Sequence, residues 1–147
     1  MKRILKWPLI IAAMVIVLRI AVERTMGPGW LASALSVVAL HTLLVPIYLG
    51  IRLAGSEQPY KTLFKLVILY AVATRAMILP VYWMARIFRW PENRFAGLAD
   101  SPPLIGWLAV PLATAAFWIV ASTVAGGAIG SLVLAIANSR VKTVSTT

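Results

Sequence analysis

Apolar residues in this chain neither alternate nor recur as a narrow helical stripe. They run almost unbroken through four stretches, at about 7–26, 30–53, 62–88 and 104–137. A helix needs about 20 mostly apolar residues to cross roughly 30 Å of hydrocarbon, so each stretch reads as a membrane span. The last is too long for one crossing, since its 34 residues would make about 51 Å of helix. Pro102 and Pro103 are expected to start it, and Pro111 to kink it or begin it afresh. That puts the true fourth span near 111–137 and makes 104–110 an interfacial lead-in. The expected fold is one all-α integral membrane domain over 1–147, a four-transmembrane-helix bundle with an outer interfacial loop at 89–110.

Composition strengthens this reading. The chain is 61% hydrophobic and 12% charged, with a mean hydropathy of +0.91, whereas soluble domains are about a quarter charged. Little chain is left outside a bilayer, so function is expected in the bundle or its short loops. The net charge of +10 would suggest nucleic acid in a soluble protein. Here the basic residues gather at span ends, so they are read as orientation signals and no nucleic-acid partner is expected. Cysteine is absent, which excludes disulfides, thiolate chemistry and cysteine metal sites.

The N-terminus has the basic start and short apolar run of a signal peptide. A small-residue cleavage pattern is missing, and Arg19 and Glu23 sit where cleavage would fall. The segment is therefore read as an uncleaved first span that continues past Arg19. Glu23 lies one turn further on and is expected to pair with that arginine.

With four spans, one face carries Lys2, Arg3, Lys6, Arg52, Lys61, Lys65, Arg140 and Lys142, and the other Arg19, Arg24, Arg86, Arg89 and Arg94. The richer face is expected to be cytoplasmic, with both termini on it, in a bacterial cytoplasmic (inner) membrane. Trp30, Trp83, Trp90, Phe95 and Trp107 then fall near the outer interface, and Trp7 and Tyr60 near the inner one. The stretch 86–103 mixes arginines with aromatics and is expected to lie along the headgroups, where anionic lipids would meet it.

Spans two and three share a pattern. Residues 35–52 align without gaps to 69–86, with Leu35/Leu69, Val38/Val72, Ala39/Ala73, Pro46/Pro80, Tyr48/Tyr82 and Arg52/Arg86 identical. Successive spans run antiparallel, so a direct repeat becomes an inverted pair in space, a transporter device; bias in two proline-kinked apolar helices is the alternative source. In each copy a polar residue precedes the proline by five, His41 in one and Arg75 in the other. The sets His41, Tyr48, Arg52 and Arg75, Tyr82, Arg86 are spaced by seven and then four, so each lies on one helical stripe from mid-depth to the surface. These six are the candidate partner- or ligand-binding residues.

Arg75 raises the sharpest question. A charge at bilayer depth costs from about 2.5 to over 10 kcal/mol and normally faces protein or water. The span ends are too far for its side chain to reach, and Glu23, Glu57, Glu92 and Asp100 all lie near span ends. Internal candidates to answer it are the carbonyls of Thr42 and Ala76 freed by the prolines, Tyr82, and the hydroxyls of Ser36, Thr42, Thr74 and Thr123. External candidates are a carboxylate on another subunit or an anionic cofactor or lipid group. The external answer is favoured, because a fixed buried cation among dipoles alone is poorly compensated.

His41 is the sole histidine and reads first as a hydrogen-bonded packing residue. It is also a weak candidate for ligating the metal of a haem or chlorophyll-type pigment; no cofactor is otherwise expected. In span four, Ser122, Gly126 and Gly130 form one small-residue row, and Thr123, Gly127 and Ser131 the next. Such rows let helix backbones approach closely, within this chain or against another protein.

No catalytic set is visible. The chain lacks a Ser/His/Asp constellation, paired carboxylates and a metal constellation, so no enzyme activity is expected. The leading expectation is a non-catalytic accessory subunit of a larger membrane complex, whose other integral membrane subunits include one bearing an intramembrane acid. The alternative is a small oligomeric carrier or flippase for an anionic or lipid-linked substrate, with Arg52 and Arg86 marking its entrances. A haem- or pigment-bearing redox subunit resting on His41 is third.

Overall fold

The computed structural model describes the backbone of residues 2–26, 37–90, 95 and 98–144, and the side chains of 4–25, 38–40, 42–90, 95 and 98–140. Residues 30–36 of the expected second span, with Trp30 and Ser36, lie outside the described residues, as do Glu92 and Arg94. The protein is all-helical, with no strand among the described residues. Helix α1 spans Lys2–Met26. A short helical turn, Val37–Ala39, leads through a π-helical turn at Leu40–Leu44 into α2, Val45–Arg52. Helix α3 spans Pro59–Ile87. A second π-helical turn, Ile105–Ala109, leads into α4, Val110–Val144.

Three helices are long and apolar enough to cross a membrane: Ile4–Thr25, Pro59–Ile87 and Ile105–Arg140. Large apolar side chains along them, such as Met14, Val17, Phe117 and Val124, are mostly exposed. In water that would be an aggregation liability; it suits an outer surface solvated by lipid tails. A shorter apolar helix covers Thr42–Arg52.

Prolines shape two of the helices in a way the sequence left open. Each π-helical turn ends two residues before a proline, at Leu44 ahead of Pro46 and at Ala109 ahead of Pro111: the Val45 N–H donates to the Leu40 carbonyl, and the Val110 N–H to the Ile105 carbonyl, five residues back in both cases. A proline has no N–H and crowds the carbonyl four residues earlier; widening the preceding turn is one way to relieve that crowding. Helix continues through Ile105–Ala109 into α4. Pro80, by contrast, sits inside α3 with α-helix on both sides. The two copies of the 35–52/69–86 pattern thus differ in backbone where they carry His41 and Arg75.

Contacts fix how the helices run. The Tyr70 hydroxyl approaches the Pro8 carbonyl at 3.5 Å, Leu5 and Ala12 pack with Leu63 and Leu66, and Ile16 packs with Val81 and Ala85. Helices α1 and α3 are therefore parallel. Leu63 and Phe64 meet α4 at Gly130 and Gly127, while the Trp83 indole donates to the Trp107 carbonyl at 3.0 Å; α3 and α4 are antiparallel. Gly50 packs on Gly130 and the Gly55 N–H donates to Asn138 Oδ1 at 2.9 Å, so α2 runs parallel to α4. One apolar cluster, containing Leu5, Leu49, Leu63 and Leu134, fills the end that holds the exposed Lys6, Lys61, Lys65 and Arg140. A second, with Ile16, Val81, Phe95 and Leu98, fills the other end. Arg75 lies between them.

Small residues make the close helix contacts. A methyl added to Gly50 would stand 2.8 Å from the Gly130 carbonyl oxygen, and one on Gly127 would stand 2.5 Å from Phe64 Cε1. Ser122, Gly126, Gly127 and Gly130 are all buried. Gly130 and Gly127, one from each small-residue row of the fourth helix, therefore pack on α2 and α3 of the same chain.

Candidate functional site

Arg75 stands sixteen residues after Pro59 and twelve before Ile87, about 24 and 18 Å from the ends of α3. It is 7% exposed. Its Nε and Nη2 are buried without a hydrogen-bond partner among the described residues. The head lies 5.5 Å from the centre of the Trp118 ring on α4. That cation–π contact offsets part of the desolvation, about 1–2 kcal/mol when shielded from water, against a cost of at least about 2.5 kcal/mol at depth. The proximal hydroxyl on α3, Thr74, is turned to its own backbone and donates to the Tyr70 and Ala71 carbonyls at 2.8 and 3.0 Å. Thr42 likewise donates to the Val38 carbonyl at 2.9 Å. Of the hydroxyls expected to answer Arg75 from within, Thr42 and Thr74 are thus engaged and Ser36 lies outside the described residues; the buried Oγ1 of Thr123, like the neighbouring Ser122 Oγ, has no partner among the described residues.

The arginine opens onto a cavity of about 220 Å³. Ile16, Arg19 and Ile20 of α1 form one wall, Ile78, Val81 and Tyr82 of α3 another; Val38, Phe95 and Trp118 close it. Arg19 is a second cation at this cavity, and it is answered: its Nε donates to Glu23 Oε1 at 2.9 Å, one helical turn away as the sequence suggested. Tyr82 lies edge-on to Phe95, ring centres 5.2 Å apart and planes at 89°, and Phe95 also meets Trp90 at 5.9 Å. Phe95 and Leu98 are buried in the apolar cluster with Ile16, Val81 and Ala85. A second, smaller void of about 10 Å³ touches Arg75 and Tyr82 from the α4 side, beside Pro111 and Thr114.

The six residues singled out by the stripes do not share one fate. Arg75 and Tyr82 meet at the cavity. Arg86 lies half-buried at the end of α3, where it donates from Nη1 to the Leu98 carbonyl and Ser101 Oγ and from Nη2 to the Ser101 carbonyl. Its head also sits 5.5 Å from the Trp107 ring, and Gly106 leaves the space it occupies. Arg86 therefore clamps 98–101 to the end of α3 and to the turn that leads into α4, instead of standing open as an entrance. Tyr48 and Arg52 are exposed on α2, away from the cavity lining. The backbone of His41 falls in the first π-helical turn; its imidazole, on which the haem reading rests, lies outside the described residues.

Sequence reading missed Arg19, Trp118 and Phe95 as neighbours of Arg75. Trp118 carried a usable signal, because it stands near the middle of a span while most other tryptophans fall toward span ends. The link between Arg19 and Arg75 depends on the parallel register of α1 and α3, and no local pattern encodes that. No protein-family model matches the chain, and no curated protein or solved structure matches it significantly.

Proposed function

We propose that this chain is a small membrane carrier for an anionic or lipid-linked substrate, with Arg75 as the group that binds the anion. The observation that carries this reading is the pair of buried, unpartnered donors on Arg75 at a cavity built from the chain's own helices. A cation so placed is stable only if something answers it, and a mobile anion entering the cavity would do so. The widened turns before Pro46 and Pro111 supply places where the flanking helices can flex. In this account four spans cross a bacterial inner membrane, both termini are cytoplasmic, and the basic bundle end faces anionic lipids.

The accessory-subunit reading places the missing acid on a partner helix. A partner carboxylate would then have to reach Arg75 past Ile16, Ile20 and Phe95, and Gly127 and Gly130 of the small-residue rows already pack on Phe64 and Leu63 of the same chain. Purification in mild detergent followed by native mass spectrometry separates the two. The carrier reading expects the chain to retain a small anionic molecule that Arg75→Gln loses, and expects Arg75→Gln to abolish flux in proteoliposomes while the protein stays folded. A stoichiometric membrane-protein partner that dissociates in Arg75→Gln would replace it with the accessory reading.

A further inference from the structure

We infer that the cavity at Arg75 takes a singly charged oxyanion carried on an apolar tail, such as the carboxylate of a fatty acid or the phosphodiester of a phospholipid. This rests on the carrier reading and narrows its substrate class. Three observations support it, each acting on a different property of the ligand.

The first concerns the donor set. The unpartnered nitrogens are Nε and Nη2, which lie on the same edge of the guanidinium and direct two N–H bonds in parallel. That fork matches two oxygens of one carboxylate or phosphate group, and such bidentate pairs are about twice as strong as neutral hydrogen bonds. A halide, being a single point of charge, gains less from a planar fork.

The second concerns charge. Two guanidinium groups line the cavity, but Arg19 is already bonded to Glu23, leaving one cation to be answered. A single negative charge answers it. A second would be buried without compensation, which is strongly unfavourable in a medium of low dielectric.

The third concerns the walls. Ile16, Ile20, Val38, Ile78 and Val81 present aliphatic surface around the charged head. Methylene groups placed there are held out of water, which favours an apolar tail, and a small hydrated anion gains none of this.

The test uses the full-length protein in a neutral detergent, titrated with oleate, phosphatidylglycerol, phosphatidate, acetate, inorganic phosphate and chloride. Binding is read by native mass spectrometry. Oleate or phosphatidylglycerol is expected to bind one per chain and at least tenfold tighter than acetate; the tighter of the two identifies the headgroup. Arg75→Lys keeps the charge but not the fork, and should weaken the amphiphile at least tenfold while changing chloride binding less than twofold. Ile78→Phe fills part of the apolar wall without touching the charge; it should weaken oleate but not acetate, and serves if Arg75→Lys does not fold. Acetate or inorganic phosphate binding as tightly as the amphiphiles, and depending on Arg75, would overturn the tail and leave the anion site standing. Phosphatidate binding tenfold tighter than phosphatidylglycerol would overturn the single charge. If no anion binds in a manner that depends on Arg75 or Ile78, both this inference and the carrier reading fall.

Discussion

The guanidinium carbon of Arg75 lies 5.5 Å from the centre of the Trp118 ring, linking two antiparallel helices at the depth where the charge is hardest to hold. The ring's negative face attracts the cation but accepts none of its in-plane N–H bonds. Trp118 therefore steadies Arg75 without satisfying it, and the two free donors remain available. Trp118→Leu should destabilise the folded protein by about 1–2 kcal/mol in detergent unfolding titrations. Trp118→Phe, which keeps an aromatic face, should recover part of that loss. Equal losses in the two variants would mean that the ring acts through packing volume alone.

Glu23 sets the charge of the cavity through Arg19. Glu23→Gln should leave the Arg19 cation unanswered beside Arg75 and shift preference toward doubly charged ligands. The expected result is phosphatidate overtaking phosphatidylglycerol by about tenfold in the variant, equivalent to about 1.4 kcal/mol of added attraction. An unchanged preference would show that Arg19 does not act on the bound anion.

Arg86 and Gly106 form a single unit. The clamp on Leu98 and Ser101 needs the space that Gly106 leaves open, so Gly106→Ala should displace the same side chain that Arg86→Ala removes. Each variant is expected to expose 98–101 to limited proteolysis and to cost about 1.5–3 kcal/mol, the range for hydrogen bonds to a charged group. The double variant should cost little more than either single one. Additive losses would separate the two residues.

The glycine contacts allow a test by compensation. Gly127→Ala drives a methyl into the Phe64 ring and should destabilise by about 1–3 kcal/mol; Phe64→Leu in the same chain should return most of it. Gly50→Ala meets a backbone carbonyl of Gly130, which no side-chain substitution can move, so no comparable rescue is expected. Unfolding midpoints of the four proteins decide between these outcomes.

Three of the long apolar helices were legible from the sequence because length and hydropathy alone mark them. The Arg19–Glu23 pair was legible because spacing on one helix determines it. The small-residue rows announced close packing, although not which helices would fill them; that depends on Gly50 and Phe64 on two other helices. Arg75 stood out for its cost, whereas its surroundings did not, because Trp118 is 43 positions away and Arg19 reaches it only through helix register. Arg86 misled for a related reason. On its helix it continues the stripe of Arg75 and Tyr82, yet the segment that folds back to Ser101 captures it. The prolines signalled bends, but whether a proline widens the preceding turn, as at Pro46 and Pro111, or is absorbed, as at Pro80, depends on what packs around each helix.

The central claim is that Arg75 is left unanswered by the described residues of its own chain and is completed by an anion from outside. It is tested most directly by the ¹⁵N–¹H resonance of the Arg75 Nε, recorded in neutral lipid nanodiscs and assigned by its absence in Arg75→Lys. Without an anionic amphiphile the proton should exchange quickly. Addition of oleate or phosphatidylglycerol should slow its exchange and move it downfield, as expected for a charge-assisted hydrogen bond. A proton already protected and downfield in neutral lipid, and unmoved by any anion, would show an internal partner for Arg75 and contradict the account.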